Sequence, residues 1–75
     1  MPTPNHYGIA GPVIDAGLVK LGYGSQAELA RRLGIAPTSI TRWRDGTTTP
    51  RREHWPAIEE FLGILPGTIA KLVDG

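Results

Sequence analysis

Residues 25–46 read S-Q-A-E-L-A-R-R-L-G-I-A-P-T-S-I-T-R-W-R-D-G, and the fold follows from how this stretch is parsed. Leu29, Ala30 and Leu33 line one face of a first short helix, and Ile40 and Trp43 share a face of a second at i, i+3 spacing. Ser25 followed by Glu28 has the pattern of a capping box, in which each side chain satisfies a backbone N–H of the first turn. Gly34 stops the first helix because it tolerates a left-handed backbone. Pro37 opens the second, at the position where a missing N–H costs nothing, and Asp45-Gly46 ends it. Two helices joined by so tight a turn cross steeply only if their contact is small, and Ala30 keeps it small. Gln26, Ala30, Gly34, Ile40 and Trp43 together form a joint constraint far more specific than any one of them.

The flanking sequence supplies three more helices and no strand, since no stretch alternates over enough residues. One helix is predicted over Pro12 to Leu21, with Ile14, Leu18 and Leu21 on one face. Gly17 inside it costs about 1 kcal/mol relative to alanine. Gly22-Tyr23-Gly24 breaks this helix, and Tyr23 is expected against the edge of the core. After a Thr47–Pro50 loop, a fourth helix is predicted from Pro56, with Trp55 packed just before it and Ile58, Phe61 and Leu62 apolar. Gly63 closes it, and a fifth helix is predicted over Pro66 to Val73, with Ile69, Leu72 and Val73 apolar. Residues 1–11, with prolines at positions 2 and 4, read as a flexible lead-in, and residues 12–75 as one all-α domain. Trp43 and Trp55 fall in register with Ile40 and Ile58, so they are expected in the core rather than as stacking platforms for single-stranded nucleic acid.

Size and composition narrow the function. A chain of 75 residues makes one domain and buries about 60% of the surface its unfolded form exposes. With no cysteine there is no disulfide or thiolate site, which fits a reducing cytoplasm. His6 and His54 belong to no ligand-spaced cluster and are expected on the surface, so no metal or other cofactor is expected. Apolar runs fall short of the ~20 residues of a membrane span. The N-terminus lacks the basic start and apolar stretch of a secretory signal, and the expected location is cytoplasmic. Glu59 and Glu60 point about 100° apart on a helix, which suits a solvated surface better than acid–base chemistry. No nucleophile–base pair or phosphate loop is visible, so no enzymatic activity is expected, and no small-molecule effector either. The net charge is only +1, but residues 31–52 hold six arginines against one aspartate, a cluster that attracts polyanions. Arg31 and Arg32 are read as the solvated side of their helix or as phosphate contacts.

The 25–46 segment resembles the Cro/C1-type helix-turn-helix family, which includes the lambdoid phage repressors and Cro proteins. The resemblance continues through T-T-T-P at 47–50 and W-P-A-I-E-E-F-L-G-I at 55–64 to I-A-K-L-V-D-G at 69–75, and covers Ile14 to Gly75. It implies a compact five-helix, lambda-repressor-like domain whose third helix meets base edges in the major groove of duplex DNA. Mapped residue by residue, it assigns Pro37, Thr38, Thr41 and Arg42 to base contact. Arg42 is the leading candidate, because a guanidinium matches guanine O6 and N7 with two hydrogen bonds. The same mapping assigns Gln26, Ser39, Arg44, Thr47, Thr48, Arg51 and Arg52 to the DNA backbone, contacts that fix register without reading sequence.

Three positions depart from the family pattern. Ala36 replaces a common serine or threonine cap, and Pro37 replaces a residue that is often polar. Arg44 stands where an acid is common, and it either reaches phosphate or pairs with Asp45 or a nearby glutamate. The resemblance further implies a homodimer on a near-palindromic operator, with Ile64, Leu65, Ile69 and Val73 divided between core and pairing surface. The resulting expectation is a sequence-specific transcriptional regulator, a phage or bacterial repressor. Two alternatives use the same fold. One is an antitoxin or other partner-binding module, disfavoured because no extra tail follows the last helix. The other is the N-terminal DNA-binding domain of a longer repressor.

Overall fold

Short amphipathic segments punctuated by glycine fold here as five helices wrapped around one core. The computed structural model describes residues 10–74. Its helices are α1 (Gly11–Leu21), α2 (Ser25–Leu33), α3 (Pro37–Asp45), α4 (Trp55–Leu62) and α5 (Thr68–Asp74), with a single 3-10 turn at Arg52–His54 leading into α4. No strand occurs among the described residues. Ile14 and Leu18 of α1, Leu29 and Ala30 of α2, Ile40 and Trp43 of α3, Trp55, Ile58 and Leu62 of α4 and Ile69 of α5 form one buried cluster. The third helix therefore presents Ile40 and Trp43 inward, as their spacing requires.

Most of the expected lead-in, residues 1–9 with His6, lies outside the described residues, as does Gly75. Its last two residues belong to the packed body: Ala10 is buried and Gly11 is the first residue of α1. A Cβ on Gly11 would sit 2.7 Å from the Trp43 carbonyl oxygen, so the start of α1 and the end of α3 touch through backbone. At Gly17 a Cβ would meet Leu62 Cδ2 at 2.9 Å. The helix-weakening glycine thus has a packing reason, the close approach of α1 and α4.

Several local expectations change in the folded chain. Gly24, with φ 86°, precedes α2 and receives the Glu28 N–H on its carbonyl at 3.1 Å, which places Ser25 inside the helix. Ser25 Oγ donates instead to the Leu18 carbonyl at 2.8 Å and ties α2 to the last turn of α1. Glu28 pairs with Arg31 at 2.6 Å on the surface, so the capping box does not form. Leu21 is half exposed and Tyr23 fully so, because the end of α1 and its turn overhang the core. Helix α4 begins at Trp55, whose indole N–H donates to the Pro50 carbonyl at 2.9 Å. Helix α5 begins at Thr68, and Thr68 Oγ donates to the Leu65 carbonyl of the preceding turn at 2.6 Å.

Glu59 is the largest departure. It is only 4% exposed, and its Oε2 accepts the Ile69 N–H at 2.9 Å. Helix α4 is packed on more than one side, so both Ile58 and its neighbour Glu59 turn inward. The carboxylate satisfies an N–H at the start of α5 that has no partner within the helix. Only Glu60 keeps the expected surface position.

Candidate nucleic-acid interface

The outer side of α3 follows from its inner side. With Ile40 and Trp43 buried, helical geometry turns Pro37, Thr38, Thr41 and Arg42 outward, and all four are exposed. The Arg42 guanidinium forms no ion pair with any described residue. Its nearest acid in sequence, Asp45, accepts the Thr47 hydroxyl at 2.6 Å and the Thr47 N–H at 2.9 Å. Those two bonds, with a smaller contribution from the charge of Arg42, hold the Asp45 carboxyl below its ordinary pKa.

The loop after α3 is drawn back along it, because the Thr47 and Thr48 N–H groups both donate to the Arg42 carbonyl, at 2.9 and 3.3 Å. This brings Ser39, Arg42, Thr48 and Arg51 to a common groove of about 390 Å³, whose walls also include Ile35, Trp43 and His54. Arg51 is well exposed, its closest acid being Glu53 at 3.9 Å. His54, expected on the open surface, is instead a partly covered wall of this groove.

The other residues assigned to the DNA backbone are engaged within the fold. Gln26 Nε2 donates to the Pro37 carbonyl at 2.9 Å and to Thr41 Oγ1 at 2.8 Å, so both amide hydrogens bridge α2 to α3. Arg44 is half buried, and its acidic partner within the fold is Asp15 rather than Asp45 or a glutamate. Its Nε donates to Asp15 Oδ1 at 2.7 Å and its Nη1 to Gln26 Oε1 at 2.7 Å. Thr47 gives its hydroxyl hydrogen to Asp45. Arg52 forms a two-pronged pair with Asp74, at 3.0 and 2.6 Å, and its guanidinium carbon lies 4.6 Å from the Trp55 ring centroid. That pair lowers the Asp74 pKa and raises that of Arg52. Arg31 pairs with Glu28, and Arg32 reaches Glu60 at 3.7 Å beside Phe61.

Asp15 had no place in the sequence reading of this face. It is 29 residues from Arg44, and the one available signal was Arg44 itself, a cation where the resembled family carries an acid. Of the residues considered for pairing, Ile69 is fully buried and Ile64 and Val73 pack against the core, which leaves Leu65 exposed. Among the described residues no group of three or more His, Cys, Asp or Glu is placed to hold a metal ion, and no helix is long and apolar enough to cross a membrane.

A tight α2–α3 turn, an outward α3 face and an adjoining basic loop define a helix-turn-helix. A family model described as "Helix-turn-helix" matches residues 19–69, and the chain belongs to that family in its Cro/C1-type form, a family of DNA-binding regulators. Among curated proteins it is similar to the 26 kDa repressor protein of Escherichia phage HK022, with 31% identity over 52 residues. The match covers 69% of this chain and 22% of the phage protein, so the chain corresponds to about a fifth of that relative's length. No solved structure gives a significant match.

Proposed function

We propose that this chain is the DNA-binding unit of a sequence-specific transcriptional regulator, a repressor that lays α3 in the major groove. The observation that carries this reading is the division of α3. Ile40 and Trp43 anchor it from behind, while Thr38 and Arg42 are exposed on the outer side, and the Arg42 guanidinium, near enough to Asp45 for their charges to interact, is tied up in no ion pair with a described residue. Arg42 reads guanine through O6 and N7, and Thr38, Thr41 and the Pro37 ring contact neighbouring bases. Ser39, Thr48 and Arg51 hold the phosphates beside the groove, and the helix N-terminus at Gln26 adds backbone N–H donors. Gln26 and the Thr47 hydroxyl reach the DNA backbone only by giving up a bond they already make, whereas Arg44 and Arg52 keep N–H donors to spare. One copy offers few base contacts, so binding is by a homodimer to a near-palindromic site with half-sites about one helical turn apart.

Selection of bound sequences from a random duplex pool, followed by a salt titration on the winner, tests this. A two-fold-symmetric consensus is expected, and absence of enrichment would overturn the reading. Arg42→Ala should weaken the selected site by about 1–3 kcal/mol more than random DNA. Arg51→Ala should weaken both alike and reduce the salt slope by about 1.

The match to 22% of a larger phage repressor favours a second arrangement, in which the same domain serves as one part of a longer regulator. Pairing would then lie outside these helices. The molecular mass of the chain on its selected site separates the two: a two-fold complex supports pairing within the domain, and independent occupation of half-sites supports the longer protein.

A further inference from the structure

A chain of polar contacts runs across the top of the helix-turn-helix, from Asp15 in α1 through Arg44 and Gln26 to Thr41. Hydrogen-bond chemistry gives it a direction. Arg44 has only donors, so the end of the Gln26 amide that meets Nη1 at 2.7 Å must be its oxygen. The nitrogen end then faces α3. The Pro37 carbonyl, a pure acceptor 2.9 Å away, independently requires the same orientation. Thr41 Oγ1 is therefore an acceptor toward Gln26. A threonine hydroxyl in a helix commonly returns its hydrogen to the carbonyl three or four residues back; Thr41 Oγ1 makes no bond to the first of these, Thr38, and the second is the Pro37 oxygen. That oxygen has two lone pairs: one serves the helical N–H of Thr41, and the other is taken by Gln26. The hydroxyl hydrogen of this exposed side chain is left to point away from the protein.

We infer that Asp15 and Arg44 are positioning residues that, through Gln26, hold Thr41 as a hydrogen-bond donor toward DNA. This rests on the reading of α3 as the base-contacting helix. In the major groove a donor selects guanine O6 or N7, adenine N7 or thymine O4, and finds no acceptor at the cytosine amino group. The cation at position 44, anomalous for the resembled family, thus contributes to specificity without touching a base.

Binding of the full chain to a library in which each position of the selected site is varied, with folding of every variant verified by its thermal melt, tests this. Thr41→Val first identifies the position read by the hydroxyl, where a preference of about three- to tenfold should disappear, the scale of one net hydrogen bond. Arg44→Met frees the amide and should flatten the preference at that position alone. Gln26→Glu is the sharpest variant. A carboxylate cannot donate to Thr41, so the hydroxyl must turn inward and present a lone pair outward. The preference should then invert toward bases with an amino group, and this inversion should be absent when Thr41→Val is combined with it. An unchanged preference in Arg44→Met and Gln26→Glu, or a uniform loss at every position, overturns the inference while leaving α3 as the reading helix. Failure of the unmodified chain to bind any duplex overturns both.

Discussion

The α2–α3 and α4–α5 pairs are built from similar parts and held together in opposite ways. In each, a left-handed glycine ends the leading helix, Gly34 in one and Gly63 in the other, both with φ 70°. The α2–α3 pair is joined by polar groups at its rim, where Gln26 donates across to Pro37 and Thr41 within reach of water. The α4–α5 pair is joined by Glu59, buried and directed at the Ile69 N–H. A polar bond in a dry interior is worth more, and is costlier to break, than one at the surface. The contrast teaches that the domain separates stability from recognition. The polar group whose loss costs most lies between α4 and α5, while the groups that face a ligand sit where their exchange is cheap.

Glu59→Ala should show the largest effect on that contrast. It leaves a buried N–H without an acceptor and opens a small void, for a loss of about 2–3 kcal/mol in urea unfolding. Glu59→Gln should recover part of it, since an amide oxygen still accepts. A loss below about 0.5 kcal/mol for Glu59→Ala would erase the distinction between the two pairs.

Helix α1 touches both pairs, α3 through Gly11 and α4 through Gly17, and this sharpens the comparison. Gly11→Ala drives a methyl against the Trp43 carbonyl, which moves only with the backbone, and should cost about 1–3 kcal/mol. Gly17→Ala meets the Leu62 side chain, which can shift, and regains about 1 kcal/mol of helix propensity. Its net loss in the same measurement should be the smaller. A reversed order would mean that α1 is fitted to α4 more strictly than to α3.

Arg44→Met should cost less than about 1 kcal/mol of stability, the range of partly exposed ion pairs, even though it removes contacts to two helices. A loss comparable to that of Glu59→Ala would show the rim network to be structural after all. The smallest effect belongs to the Arg52–Asp74 pair, which closes the end of α5 on the exposed surface. Because the folded Asp74 pKa is depressed below its ordinary 3.8, its contribution is present above that value and is lost as pH falls through the folded pKa. The stability difference between the parent chain and Asp74→Asn should therefore be measurable at neutral pH and vanish in acid. A difference that persists in acid would assign the role of Asp74 to something other than its charge.

The apolar periods and the glycine stops, set by neighbours within a turn or two, were determined by the sequence alone, although the equally local Ser25–Glu28 capping box does not form. The periods of Leu29, Ala30 and Leu33 and of Ile40 and Trp43 placed two helices and their buried faces, and Gly34, Gly46 and Gly63 ended three of them. Thr38, Thr41 and Arg42 were named from the family resemblance, and the structure has all three exposed on the side of α3 away from Ile40 and Trp43. The partners of the polar side chains were decided only by the tertiary structure. Ser25 finds Leu18 rather than its own first turn, Arg44 finds Asp15, Glu59 finds the start of α5 and Arg52 finds Asp74. The physical reason is that periodicity states which way a side chain points but not what stands opposite. A hydrogen bond extends about 3 Å, so its partner is chosen by the packing distance between helices, which no local pattern encodes.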